Sequence, residues 1–372
     1  MKTKLQFIIV LLCCAATTQL CAQPTLRKAL KKQFLIGTAL DEQQITEQAS
    51  KESKLIKKQF SSIVAENCMK CEPIHPERNR YNFSLSDRFV QFGEKNKMAI
   101  IGHCLIWHSQ LPAWFCSDGK GGNASPDTLK ARMREHIHAV VGRYKGRIHG
   151  WDVVNEAIED DGSFRKSKFY QILGEDFIRL AFQYAHEADP NAELYYNDYS
   201  MSNPRKYQAA IRLAQKLRAA GCRIDAIGMQ GHMTMESPSL SEYEKAITDI
   251  GNAGFKVMIT EWDLSALPNP FGGDGADVAR NEKYRKEMNP YPNGLPDSVA
   301  TKWNKKVIDM FSLFLKKRDV ITRVTFWGLN DKQSWRNNFP IRGRTDYALF
   351  FDRNNQPKTV ITDMIKAAKS TK

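Results

Sequence analysis

The sequence predicts an α/β fold, a single-domain (β/α)8 TIM barrel, and three observations carry that reading. Short apolar, β-prone runs alternate with amphipathic helical runs. There are eight such β-prone runs in the 372-residue chain. Nearly every one stops abruptly in polar or aromatic residues.

In chain order the strand candidates are FLIGTAL, SSIVAEN, MAIIGHCLIW, IHGWDVVNE, AELYYNDY, IDAIGMQGH, KVMITEWD and ITRVTFWGLND. Between them lie TLKARMREHIHAVVGRY, EDFIRLAFQYAHEAD, RKYQAAIRLAQKLRAAG, LSEYEKAITDIGNAG and WNKKVIDMFSLFLKKRD, all patterned as amphipathic helices. A doubly wound sheet uses the same local alternation, so the polar run ends must decide. They are Glu66 and Asn67; His103, Trp107 and His108; Asn155 and Glu156; Asn197, Asp198 and Tyr199; Gln230 and His232; Glu261 and Asp263; Trp327, Asn330 and Asp331. In a closed parallel barrel all strand C-termini meet at one rim, where barrel enzymes place their chemistry.

The start of the chain reads differently. MKTK is basic, LQFIIVLLCCAA is apolar but short for a bilayer span, and small residues surround Ala22. Residues 1–22 therefore read as a secretory signal peptide, with 23–372 as the barrel domain. This implies an exported protein, secreted or periplasmic, with no membrane association after cleavage. The formal charge of +14 falls by two when Lys2 and Lys4 leave with the leader. The basic residues are spread along helix-like stretches, which reads as solvated helix faces. No basic stripe with interleaved aromatics points to nucleic acid.

Of eight cysteines, Cys68, Cys71, Cys104, Cys116 and Cys222 lie outside the leader. An odd number in a large domain is no disulfide framework; buried thiols, or at most one or two bridges, are expected. CMKC has the spacing of half a zinc site without a second half. No metal and no cofactor is expected.

GWDVVNEAIEDDG and VMITEWDL each break a buried run with a carboxylate, Glu156 and Glu261, at the fourth and seventh strands. Glycosidic cleavage requires two such groups across a groove. One carboxylic acid protonates the leaving oxygen, while the other carboxylate attacks the anomeric carbon or activates water. A separation of roughly 5–5.5 Å corresponds to retention, and roughly 6.5–9.5 Å to inversion. His232 and Asp263 are placed to keep Glu261 ionised, and apolar neighbours of Glu156 would raise its pKa. Asn155 could orient the carboxylates or meet a sugar hydroxyl.

The ordered motifs ENCMKCEPIHPERNRYNF, GHCLIWHSQLPAW, GWDVVNEAI, YYNDYSM, IGMQGHM, VMITEWDL and TFWGLNDKQSW closely resemble glycoside hydrolase family 10, the endo-β-1,4-xylanases, over about residues 35–364. The resemblance implies a (β/α)8 barrel hydrolysing internal xylan bonds with retention. It implies Glu156 as acid/base and Glu261 as nucleophile, supported by Asn155, His232 and Asp263. It further implies substrate contacts from Glu66, Asn67, Lys70, His103, Trp107, Tyr199, Gln230, Trp327 and Trp335. Flat indole faces for sugar C–H surfaces and forked polar groups for hydroxyls suit that list. Xylan or xylo-oligosaccharide is the expected partner, and a monomer the expected state.

Two features depart from the family pattern: Trp262 follows the candidate nucleophile where an aliphatic residue is usual, and CMKC puts thiols where bulkier residues are common. Trp262 is expected to alter packing behind the pocket. The long stretch at about 264–298 leaves the barrel at the rim and is expected to lengthen one groove wall. Two other readings are a retaining barrel glycosidase acting on β-glucan or mannan, and a silent carbohydrate-binding barrel. The motifs around Lys70, His103 and Gln230 argue against the first, and the intact carboxylate pair against the second.

Overall fold

A computed structural model describes residues 24–270, 276–278, 282–283 and 285–371. The leader expected at 1–22 lies outside the described residues, as does part of the 264–298 stretch. Eight parallel strands form the barrel: β1 (Leu35–Leu40), β2 (Ser62–Ala65), β3 (Ala99–Trp107), β4 (Gly150–Asn155), β5 (Glu193–Asp198), β6 (Ala226–Met229), β7 (Lys256–Ser265) and β8 (Ile321–Phe326). Each pairs with its sequence neighbour, β8 returns to β1, and β6 pairs directly with β7, so no edge is left open.

Helix starts are written locally. Ser125 accepts from the Thr128 amide with Pro126 at the first helical position of Pro126–Arg143. Ser239 and Glu242 form a reciprocal capping box at the start of Leu240–Asn252. Such a cap contributes about 1 kcal/mol. The 126–143 helix buries Leu129, Met133, Ile137, Val140 and Val141 on one face. Each large aliphatic side chain so buried contributes roughly 1.5–3 kcal/mol.

Outward strand faces and helix faces merge into one continuous core. A second, smaller cluster joins Ala39, Val64, Ile101, Tyr195, Ala226 and Met258 inside the barrel, with Trp327 above it. Trp262 is fully buried among Phe311, Phe314, Phe326 and Phe350, its ring 4.6 Å from that of Phe350. It packs behind the pocket, as expected. Cys68, Cys71, Cys104 and Cys116 are buried free thiols, and Cys222 is a half-buried one.

The sixth strand departs from the single run expected of IDAIGMQGH. It stops at Met229 and resumes as His232–Thr234, which pairs with β7 beyond the rim. Gly231 sits between with φ +79°, a left-handed backbone that glycine adopts without steric penalty. That break lets Gln230 and His232 both face the barrel mouth. Among the described residues, no helix is long and apolar enough to cross a membrane.

Candidate active site

At the C-terminal rim a cavity of about 280 Å³ is lined by both Glu156 and Glu261. Glu156 directly follows β4. Glu261, expected at a strand end, lies inside β7, which runs on through Asp263 to Ser265. The β7–β8 register shifts between Ile259 and Trp262, re-aiming the side chains there. Glu156 itself has φ +57°, an unusual conformation for a residue with a Cβ. Its amide is held by the Asn197 carbonyl at 2.9 Å, and its own carbonyl accepts from Arg165 Nε at 3.0 Å.

The Glu156 carboxylate is almost fully buried. Its Oε1 accepts from Gln230 Nε2 at 2.9 Å and Asn155 Nδ2 at 3.1 Å, and its Oε2 from Trp107 Nε1 at 2.9 Å. Burial and the nearby Asp198 charge raise its pKa to about 7, although the Gln230 and Trp107 hydrogen bonds pull the other way. Glu261 is buried too, but ends on the other side of the carboxylate range. Burial alone would raise it; the hydrogen bonds from His232 and Asn197 bring its pKa below the usual value. Below about pH 7 Glu156 keeps its proton while Glu261 is charged.

His232 explains much of that difference. Its Nε2 is 3.2 Å from Glu261 Oε2, and its Nδ1 is 2.9 Å from Asp263 Oδ2. Burial disfavours the imidazolium, but the two carboxylates outweigh it and raise the pKa to about 9. Both ring nitrogens then donate near neutral pH. Asp263 is anchored from behind by Trp335 Nε1 at 2.7 Å and Arg336 Nε at 3.1 Å. Burial opposes its charge, yet Arg336 and His232 hold its pKa below the ordinary range.

The walls gather most of the remaining expected residues. Lys70 Nζ donates to Asn67 Oδ1 at 3.0 Å and Gln110 Oε1 at 2.7 Å, and lies 4.9 Å from the Trp107 ring centroid. Burial lowers its pKa, opposed by Cys104 and the carboxylates of Glu261, Glu66 and Glu156. His103 Nδ1 is fixed by Asp152 Oδ2 at 2.9 Å, leaving Nε2 available at the mouth. Glu66, Asn67, Gln230, Trp327 and Trp335 complete this lining. Asp263 stands behind His232 rather than in the wall.

Tyr199 does not join them. It is buried outside the cavity lining, its hydroxyl accepts from Arg165 Nη2 at 2.5 Å, and Lys206 Nζ sits over its ring at 3.4 Å. The structure places it under the β4 loop, between Arg165 and Lys206. Lys206 also pairs with Asp198 at 3.0 Å, both side chains fully buried.

Several residues of the site carried no sequence-based role. Asn197, within YYNDYSM, donates to Glu261 Oε1 at 2.9 Å. Gln110, within GHCLIWHSQLPAW, reaches Lys70. Their motifs were visible, but an uncharged amide gives no pattern that names its partner. Arg165 and Arg336 lie on connecting segments, where only the folded chain brings them beneath Glu156 and Asp263. Ala276 and Val278 of the long 264–298 stretch line the cavity, and Asp277 lies 3.3 Å from Arg165 Nη1.

A parallel eight-stranded barrel with two buried, unequally protonating carboxylates at its C-terminal mouth belongs to the class of barrel glycoside hydrolases. Residues 25–367 match the family described as Glycosyl hydrolase family 10, and the chain belongs to that family. It is 49% identical over 358 residues, 96% of either chain, to "Endo-1,4-beta-xylanase A" of Xylanibacter ruminicola. A GH10 endoxylanase retrieved from a sugarcane soil metagenome superposes with a TM-score of 0.89 at 44% identity, covering 92% of this chain and 99% of that one. A mutant structure in complex with xylotriose aligns with a TM-score of 0.83 at 33% identity, covering 92% and 99%.

Proposed function

We propose that the protein is an endo-acting, retaining β-1,4-xylanase in which Glu261 is the nucleophile and Glu156 the general acid/base. The observation that carries this reading is the pair of buried carboxyls lining one cavity, Glu156 held by Gln230 and Trp107 and Glu261 by His232 and Asn197, surroundings that shift their pKa values in opposite directions. In the first step Glu261 forms a bond to the anomeric carbon as the glycosidic C–O bond breaks. Glu156 gives its proton to the departing oxygen. In the second step Glu156, now anionic, takes a proton from water while the water oxygen displaces Glu261, and both carboxyls return to their starting states.

The surroundings suit these roles. His232 and Asn197 stabilise Glu261 as an anion until it bonds to carbon. Lys70, His103 and Gln230 offer polar groups to sugar hydroxyls, and Trp327 and Trp335 offer ring faces. Xylan as substrate is supported by the xylanases named among the relatives.

Incubation with xylan, cellulose and mannan, followed by analysis of product lengths, tests the reading. Xylo-oligosaccharides from xylan alone, lost in Glu261→Ala, are expected. Binding without cleavage, or cleavage of cellulose or mannan in preference to xylan, would overturn it.

A further inference from the structure

The barrel has a second, larger opening. At its N-terminal end a cavity of about 1170 Å³ is bounded by the starts of the strands, including Ala99 of β3, Lys256 of β7 and Ile321 of β8. Lys256 and Glu261 share β7 five residues apart, so about 17 Å of extended chain separates this face from the candidate nucleophile. At physiological salt charges are screened over about 8 Å, so the two faces are electrostatically separate.

Nine of the eighteen residues lining this cavity are Lys or Arg, and only Asp319 is acidic. A cluster of basic residues therefore gathers at this face, within a charge otherwise spread along the chain. Part of it is used internally: Lys57 pairs with Glu47 at 2.5 Å, and Lys256 donates to the Asp319 carbonyl at 2.8 Å. Lys28, Lys31, Lys32, Lys58 and Lys97 form no ion pair with any described residue. Like charges gathered without counter-charge repel, and focus a positive potential outward from the concavity.

We propose that this N-terminal face binds a carboxylate-bearing polysaccharide. Lysine ammonium groups on flexible stems suit separate carboxylates spaced along a polymer, whereas clustered phosphate recognition favours the planar arginine fork. The site is concave, and Leu240, the one exposed large hydrophobic among the described residues, does not line it, so nothing there inserts into a bilayer. Its one aromatic lining residue, Phe34, is buried and offers no stacking platform for bases. The choice of a polysaccharide among polyanions rests on the proposed xylanase function; the anion site does not.

The test uses the full chain and polygalacturonate, a uronate polymer whose α-linked backbone the proposed cleft does not cut. Calorimetry is expected to detect binding at low salt that weakens at least tenfold at 200 mM NaCl and vanishes on methyl-esterified polymer. The Lys31→Glu/Lys32→Glu/Lys58→Glu variant should lose at least tenfold in affinity while cleaving xylo-oligosaccharides at the parent rate. Should it not fold, Lys31→Gln/Lys32→Gln makes the same comparison with a smaller expected loss of a few-fold. Unchanged binding by the folded variant, or equal binding of the esterified polymer, overturns the proposal. So does tighter lysine-dependent binding to phosphatidylglycerol vesicles or single-stranded DNA. Lysine-dependent polyuronate binding in a protein that cleaves no xylan would sink the proposed activity and leave this site standing.

Discussion

The side chains of Asn155 and Asn197 are joined by a hydrogen bond, Asn197 Nδ2 to Asn155 Oδ1, at 2.9 Å. Asn155 donates in turn to Glu156, Asn197 donates to Glu261, and Thr260 Oγ1 fixes the Asn197 carbonyl oxygen at 2.6 Å. Two amides on adjacent strands thus tie the two carboxyls into one network. Gln230 adds a second tie, bonding Glu156 by its side chain and accepting from the Glu261 amide at 2.7 Å.

Asn197→Ala removes a donor to a charged carboxylate and leaves Asn155 less constrained. A hydrogen bond to a charged group contributes about 1.5–3 kcal/mol, so kcat/KM on xylo-oligosaccharides should fall by about 10–150-fold. The acid limb of the pH profile should move upward, because Glu261 loses a group that stabilises its charge. A kinetic pH series on both proteins checks this; an unmoved acid limb would reduce Asn197 to a packing role.

The parent pH profile should be bell-shaped. Activity falls as pH rises through about 7, where Glu156 loses the proton it must donate. On the acid side it falls only below the usual glutamate range, where Glu261 becomes protonated. Gln230→Ala deletes a hydrogen bond that favours ionised Glu156, so its alkaline limb should shift to higher pH. Rates with a soluble oligosaccharide across pH 3–10 in about half-unit steps test both limbs.

Glu156→Ala should separate substrates by leaving group. General acid catalysis contributes about 10²–10⁴-fold, so losses of that order are expected on xylan. Aryl xylosides with acidic phenols need little protonation and should show far smaller losses in the glycosylation step. Azide should rescue turnover as a β-glycosyl azide, because Glu261 has already inverted the centre once. Equal losses on good and poor leaving groups would refute the acid/base assignment.

Glu156 should also weigh on stability. Its folded pKa of about 7 exceeds the ordinary 4.5, so across that window the folded chain binds more protons than the unfolded. Stability therefore falls as pH rises from 4.5 to 7, by on the order of 3 kcal/mol in full above that range. Glu156→Gln, neutral throughout, should melt higher than the parent at pH 8 and much closer to it at pH 5. Calorimetric scans at the two pH values decide.

The strands and five of the longer helices were readable because burial imposes period and punctuation locally, whereas helices such as Ser50–Gln59, Ser84–Lys95 and Thr359–Ser370 were not singled out. Glu156 and Glu261 were visible because a carboxylate closing a buried run is costly without a purpose. The partners of those carboxylates were less visible. Arg165, Asn197 and Arg336 matter through contacts made across the barrel mouth, and contacts between distant residues leave no spacing to read. The neighbours of Tyr199 were hidden for the same reason: only folding shows that Arg165 meets its hydroxyl and Lys206 its ring. The basic concavity escaped notice because its lysines and arginines come from five separate stretches, none of them basic enough alone to stand out.

That concavity bears on how the molecule would sit on a solid support. A negatively charged carrier would draw the protein down bottom first, leaving the catalytic mouth turned toward the solution. Orientation would then come from the native sequence, without an added tag, and raising the ionic strength would release the protein from the carrier.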